Sequence, residues 1–394
     1  MRKTKVGWLA IAWAIAVAWM AAAETLPDPE QAGPYPVGVT TVLIEDHSRT
    51  CEETGGPRPL LTEIWYPAAD DAKAMPQGHL LDTYLFNFDD TLINLIQSMF
   101  KVDLHAYDAT FRCIGHRDAR VRDGVFPLIV FSHGSNAVRC QSVSWCEHMA
   151  SHGYIVAAPD HTGNCIVTFV AGRMILSKKG AMEESAVERP KDTAFVIDTL
   201  ERMNKGTDSR FFRTIDVEHI GVAGHSLGGY TTTASADHDA RVDAIVPMAG
   251  AYVAGRTNYT CPVLVLAATE DLVMKETRIQ EMRQYYAESK GPHYLVEFVN
   301  GGHFTFTDIA QFVPDFGDGI GAGTRLTNGE PITYIDAETA HTLINGYTTA
   351  FFGRYLKGQA DYDLYLKANR NPAELIVKWS PGESETAAPA RPTP

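Results

Sequence analysis

The stretch that decides the fold is His219-Ile-Gly-Val-Ala-Gly-His-Ser-Leu-Gly-Gly-Tyr-Thr-Thr-Thr-Ala234. Its first five residues read as a buried strand and its last five as the opening of a helix. Between them lies a G-x-S-x-G motif centred on Ser226. A chain that turns from strand to helix this abruptly holds its corner residue in a strained conformation. Gly224 and Gly228, two residues either side, let the two elements approach closely. The serine hydroxyl then stands clear of the backbone, above a helix N-terminus whose free N–H groups and dipole favour negative charge. Strand, motif and helix in this order predict a nucleophile at Ser226. The bland alternative is a glycine-rich turn with an incidental serine, and the additional Gly229 weighs against it.

Three more apolar runs end in residues that such a nucleophile needs. Phe126–Phe131 leads into Ser132-His133-Gly134-Ser135. Gly134 would let the backbone turn so that the Ser135 N–H faces the site, with the Leu227 N–H as the second donor for a developing oxyanion. Two such fixed donors supply about 3–4 kcal/mol each in the best-measured case. Pro262–Ala267 delivers Thr269-Glu270-Asp271, where a buried carboxylate would orient a histidine. Either Glu270 or Asp271 could serve, and Asp271 is favoured. Tyr294–Val299 runs into Asn300-Gly301-Gly302-His303. Of the histidines after Asp271, His293 precedes its strand and His341 sits in a final helix, Ala337–Tyr355. His303 alone stands at a strand's C-terminal end, where parallel sheets gather their chemistry.

The rest of the chain is read around this frame. Val37–Ile44 and Leu61–Trp65 are strands, with a loop over Arg49–Pro59. Residues 72–125 are an insertion, in which the spaced apolar residues of Leu80–Phe100 suit a helix that borders the pocket mouth or packs on the sheet. Cys140–His152 is a helix carrying His148 and His152 at i, i+4, a spacing that suits a metal. No intervening glutamate or third ligand accompanies them, so a solvated helix face is expected. Tyr154–Pro159 is a strand. Asp160 and His161 after it could line the pocket, but they precede Ser226, against the order Ser, acid, His. Residues 166–187 are an irregular insertion. Arg189-Pro190 then opens a helix to about Met203, with proline near its start. Val242–Met248 is a strand.

The ends are set apart. Arg2, Lys3 and Lys5, then the apolar Val6–Met20, then Ala21-Ala22-Ala23 before Glu24 read as a signal peptide over residues 1–23. The apolar run is short for a bilayer span, which argues against a stable anchor and for export. A domain over 24–379 follows, and from Ser380 the chain is a Pro/Ala-rich tail expected to be disordered. With the three leader cations removed, 31 basic residues face 48 acidic ones, a net charge near −17. Such a surface repels nucleic acid and anionic membranes. The six cysteines all lie after the leader; disulfides would suit an oxidising compartment, but 15 pairings are open. Without a C-x-x-C pair, a cysteine metal site is not expected.

On these residues the chain resembles the α/β-hydrolase superfamily. Within it the resemblance is to the platelet-activating-factor-acetylhydrolase-like and dienelactone-hydrolase-like esterases. The segments that carry it are Gly38-Val-Thr with Glu63-Ile-Trp-Tyr-Pro-Ala, Phe131-Ser-His-Gly, Ala150-Ser-His-Gly-Tyr-Ile-Val-Ala-Ala-Pro-Asp-His, Arg189-Pro-Lys-Asp, Gly224-His-Ser-Leu-Gly-Gly and Gly302-His-Phe-Thr-Phe-Thr-Asp. Cutinase-type polyester hydrolases are similar in layout. The resemblance implies an α/β fold with a mostly parallel central sheet and helices on both faces. It implies nucleophile, acid and base at Ser226, Asp271 and His303, no cofactor and no metal, and a small-molecule or lipid ester with a short acyl chain as substrate. An acyltransferase or peptidase on the same residues, or an idle binding protein on the fold, are the alternatives in other classes.

Overall fold

The computed structural model describes residues 26–383, apart from 77, 86–89, 91–92, 95–96, 99–102, 110, 112, 179–180, 252–259, 310–312 and 314–315. The expected leader over 1–23 and most of the expected tail lie outside the described residues. At the tail's start, however, Ser380 is not loose. It closes a strand, as set out below.

In chain order the principal elements are β1 (Val37–Cys51), β2 (Gly56–Pro67), β3 (Gly115–Arg117), β4 (Phe126–Ser132), α1 (Val143–Ser151), β5 (Ile155–Pro159), β6 (Val167–Val170), β7 (Arg173–Leu176) and α2 (Ala181–Lys205). Then follow β8 (Ile215–His225), α3 (Leu227–His238), β9 (Val242–Met248), β10 (Val263–Ala268), α4 (Lys275–Glu288), β11 (His293–Phe298), β12 (Ala322–Thr324), β13 (Pro331–Thr333), α5 (Ala337–Leu356) and β14 (Leu375–Ser380). Ten strands form one sheet in the order β14-β11-β10-β9-β8-β4-β5-β2-β1-β3. From β11 to β5 every pairing is parallel, while β14, β2 and β1 join antiparallel at the flanks. This is the expected α/β architecture.

The inner strands are apolar throughout because both of their faces are covered. Their period of two divides them between two cores. Val156, Ala158, Leu264, Leu266 and Ala268 pack with α1 and α5, whereas Ile155, Ala157, Val263, Val265 and Ala267 pack with α2 and α4. Strand order reverses at β4, which lies between the later β8 and its own successor β5. That switch opens a crevice at the strands' C-terminal ends.

Several boundaries differ from expectation. The residues read as a loop over Arg49–Pro59 are mostly strand: the β1–β2 ladder continues past a bulge between Asp46 and Thr50 to a tight turn after Cys51. Pro57 and Pro59 are tolerated there because β5 reaches only Thr62–Trp65, leaving β2 one neighbour at its start. The supposedly irregular 166–187 segment contains the β6–β7 hairpin. Its two-residue turn places Ala171 and Gly172 at φ 50° and 74°, the combination that matches strand twist. α2 begins eight residues before Arg189, so Pro190 lies inside the helix and not near its start. The final strand of the sheet is β14, which pairs Leu375–Ser380 with Phe298–His293. α1 is shorter than Cys140–His152, and its histidines do not face solvent. His148 and His152 are 7% and 6% exposed and bond the carbonyls of Pro29 and Gln31. None of the six cysteines is in a disulfide.

Candidate active site

β8 ends at the elbow, and Ser226 takes φ 56° and ψ −117°, outside ordinary helix or strand geometry. Surrounding bonds hold it there: its N–H donates to the Met248 carbonyl at 2.8 Å, and its carbonyl accepts from Gly229 N–H and Tyr230 N–H. A side chain on Gly228 would collide with the Ser132 carbonyl, and one on Gly224 with the Gly228 carbonyl. The two glycines therefore let the end of β4 lie directly against the elbow. Leu227 is the first residue of α3, so its N–H has no helical carbonyl four residues back.

β10 and β11 run in register to Ala268 and Phe298, which brings the loops after them side by side. His303 Nε2 lies 2.9 Å from Ser226 Oγ, and its Nδ1 lies 2.9 Å from Asp271 Oδ2. An ionised carboxylate only accepts, so Nδ1 carries the proton and Nε2 is left to accept from the serine hydroxyl. Asp271 is fully buried, and its other oxygen accepts the Met274 N–H at 2.7 Å. His303 is 3% and Ser226 9% exposed. The neighbouring Glu270 turns elsewhere, accepting from Arg325 Nη1 and the Leu326 N–H. Both residues lie beyond the end of β10, Glu270 in a turn, and only Asp271 points at the imidazole.

A third carboxylate joins these loops. Asp318 Oδ1 accepts the His303 N–H at 3.0 Å and the Leu272 N–H at 2.9 Å, while Oδ2 accepts the Val273 N–H at 3.1 Å. Its own carbonyl accepts the Phe304 N–H. Burial pushes the Asp318 carboxyl above its usual range, opposed by these backbone donors.

On the other side of the elbow, the turn after β4 is held from beneath. Arg189 is fully buried and donates to the carbonyls of His133 and Gly134 and to Asn164 Oδ1. A trans peptide sets its N–H opposite its carbonyl, so the Ser135 N–H points away from Arg189. Among the described residues the Ser135 N–H has no hydrogen-bond partner.

Below this turn lies a second set of the same residue types. Ser132 Oγ is 2.9 Å from His161 Nε2, and His161 Nδ1 is 3.0 Å from Asp192 Oδ2. Arg58 grips Asp192 with two bonds of 2.8 Å. All three members are fully buried, so no substrate reaches them. Burial holds His161 down at about 4, against the pull of Asp192. Asp160 likewise accepts from the Arg139 N–H and Nη1 and from Thr168 Oγ1. Asp160 and His161 thus brace the loops and do not line a pocket. Among the described residues no group of His, Cys, Asp and Glu is arranged to hold a metal.

Sequence reasoning missed Gln141, Asp318 and Arg189 as neighbours of this site, and quoted His225 without a partner. Each acts from a different segment, and no local motif marks the encounter.

A family model described as platelet-activating factor acetylhydrolase, isoform II, matches residues 20–193, and one described as PET hydrolase-like matches residues 176–317. The chain is 21% identical over 376 residues to a platelet-activating factor acetylhydrolase of Gallus gallus, covering 85% of each. It is 25% identical over 237 residues to a probable 1-alkyl-2-acetylglycerophosphocholine esterase of Arthroderma benhamiae, covering 55% of this chain and 57% of that protein. In fold it is similar to a ferulic acid esterase from Streptomyces cinnamoneus, with a TM-score of 0.67 and 24% identity over 91% of this chain and 98% of that one. Sheet order, the two successive family matches and these relatives together make the chain a carboxylic ester hydrolase on an α/β-hydrolase fold, similar to the platelet-activating factor acetylhydrolase and PET hydrolase-like esterases.

Proposed function

We propose that the protein is an exported esterase that cleaves short-chain acyl esters through Ser226, His303 and Asp271. The observation that carries this reading is the unbroken line of two 2.9 Å contacts from Ser226 Oγ through His303 to Asp271. In the first half-reaction Ser226 Oγ attacks the ester carbonyl and His303 Nε2 takes its proton. The carbonyl oxygen becomes an alkoxide facing the N–H groups of Ser135 and Leu227. Collapse of this intermediate breaks the bond to the alcohol, which leaves with the proton from His303. Water then repeats the sequence on the acyl-enzyme, releasing the acid and restoring Ser226. Asp271 holds the imidazole tautomer and stabilises the imidazolium that forms twice per cycle.

The preference for short acyl chains follows the acetylhydrolase likeness over residues 20–193 and the two acetyl-ester-cleaving relatives. A polyester substrate is the second reading, because the half of the chain that carries Ser226, Asp271 and His303 matches the PET hydrolase-like family. Export follows from the leader over residues 1–23, with cleavage before Glu24. N-terminal sequencing of protein recovered outside the cytoplasm tests it.

The enzymatic test uses p-nitrophenyl esters from acetyl to palmitoyl with wild type, Ser226→Ala and His303→Ala. Turnover of acetyl and butyryl esters, lost in both variants, supports the reading. An inert wild type in which an organophosphate still labels Ser226 would keep the chemistry and overturn the substrate class. Absence of both activity and labelling would overturn the nucleophile.

A further inference from the structure

We infer that Gln141 and His225 form a positioning relay that locks the turn after β4 to the histidine loop, an inference that rests on Ser226 being the nucleophile. Gln141 Oε1 accepts the Gly134 N–H at 2.6 Å. Its amide nitrogen lies 3.0 Å from His225 Nδ1, and His225 Nε2 lies 2.9 Å from the His303 carbonyl. Three segments distant in sequence are joined by three hydrogen bonds.

The chemistry of the end groups allows one assignment. A backbone N–H can only donate, so the glutamine oxygen faces Gly134. The amide nitrogen can then only donate, so His225 Nδ1 is an unprotonated acceptor. The His303 carbonyl can only accept, so Nε2 carries the proton. His225 is therefore neutral, and a second proton at Nδ1 would meet the amide hydrogens of Gln141. Burial acts in the same direction. His225 packs against the rings of His303, Phe304 and Phe306. Among these His303 is the titratable group, and Gln141 presents no charge.

The relay has two consequences for the reaction. First, it occupies the Gly134 N–H, leaving the next peptide's N–H, that of Ser135, for the developing oxyanion. Gly134 is where the parts converge: a Cβ there would lie 3.2 Å from both Gln141 Oε1 and His225 Nδ1, and 3.5 Å from Ser226 Cβ. Second, it anchors the His303 backbone from one side while Asp318 anchors it from the other, through carbonyl and N–H respectively. The imidazole is thereby held between hydroxyl and carboxylate by both of its own peptide groups. A displacement of the order of 1 Å at a reacting group costs up to about a hundredfold in rate, so loss of the relay should appear in kcat and not in KM.

The test compares Gln141→Leu and Gln141→Glu with wild type between pH 6 and 9, on the ester that wild type cleaves fastest. Gln141→Leu removes both bonds and should lower kcat about tenfold or more at every pH, with KM within threefold. Gln141→Glu keeps the acceptor for Gly134 but turns a second acceptor on His225 Nδ1. Only a doubly protonated His225 then satisfies both neighbours. Its activity relative to wild type should be highest at pH 6 and fall towards that of Gln141→Leu as the pH rises. Two variants indistinguishable from wild type, or two equal losses independent of pH, would overturn the relay. Ser226→Ala, run alongside, separates this from the parent reading: if it keeps wild-type activity, the nucleophile assignment fails and the relay falls with it.

Discussion

Acidification should begin to destabilise this protein before its carboxylates are titrated. Four histidines, His133, His148, His161 and His225, are almost wholly buried and neutral. Burial pushes His148 down to about 3 and His161 to about 4, and holds His133 and His225 well below the usual imidazole value of 6.5. Hydrogen bonds give two of these cases a structural cause. His133 Nε2 accepts the His161 N–H, and His225 Nδ1 accepts from Gln141, so each nitrogen that would take the second proton already faces a donor. A depressed folded pKa means that the stability is complete above 6.5 and is lost as pH falls below it. In that window the unfolded chain binds four protons that the fold does not. Each contributes a slope of about 1.4 kcal/mol per pH unit, or about 5 kcal/mol per unit together. Glu147, pushed up to about 7 by burial, works the other way and offsets about one of the four. With a net slope of about 4 kcal/mol per unit against a total stability of about 5–15 kcal/mol, these protons alone should unfold the chain between about pH 3 and 5. Urea titrations at half-unit steps from pH 7.5 to 5, followed by tryptophan fluorescence, measure the slope directly. A stability that changes by less than about 1.4 kcal/mol between pH 6.5 and 5.5 would refute the reasoning, because it would mean that the unfolded chain takes up no more than one proton over the fold.

Glu147→Gln should isolate the opposing carboxyl. Its raised folded pKa makes its contribution complete below 4.5 and lost as pH rises through about 7, so wild type should lose about 3 kcal/mol relative to the variant between pH 4.5 and 8. Parallel urea midpoints at the two pH values settle it, and a constant difference would show that the carboxylate stays charged in the fold, served by the donors Tyr84, Ile114 and Gly115. Asp318→Asn leaves one oxygen for three N–H groups, and an unserved buried N–H costs about 1–3 kcal/mol. We expect kcat to drop about tenfold with KM little changed, whereas unchanged kcat would remove Asp318 from the account. Gly228→Ala drives a methyl group into the Ser132 carbonyl and should cost at least about 3 kcal/mol or abolish soluble expression. Wild-type melting temperature and activity in that variant would mean that the elbow and β4 do not meet as described.

Much of the fold could be read along the chain. The parallel strands are buried on both faces, so each appears as an unbroken apolar run, and β4, β9, β10 and β11 fall within about a residue of their expected bounds. Glycines mark the elbow because the approach of backbones there excludes any side chain, Gly224 against Gly228 within the motif and Gly228 against Ser132 at the end of β4. The choice of Asp271 over Glu270 was open to local reading only as a preference, since both follow the end of β10 and the turn there decides which of them meets His303. Helix faces were less legible. The His148 and His152 pair looks solvated in a hydropathy pattern, yet backbone carbonyls at Pro29 and Gln31, more than a hundred residues away, accept their N–H groups and let both be buried.

What the sequence by itself determined is the set of local conformations: which runs are strands, where the chain must turn sharply, and which strand ends carry serine, carboxylate and histidine. These follow from steric and hydrophobic rules that operate over a few residues. Only the tertiary structure decided which polar groups meet. Arg189 reaches the carbonyls after β4, Asp318 ties two loops together, and Gln141 and His225 connect the elbow to both sides of the site. A hydrogen bond is satisfied by any donor within reach, so its partner is named by position in space and leaves no period or motif in the chain.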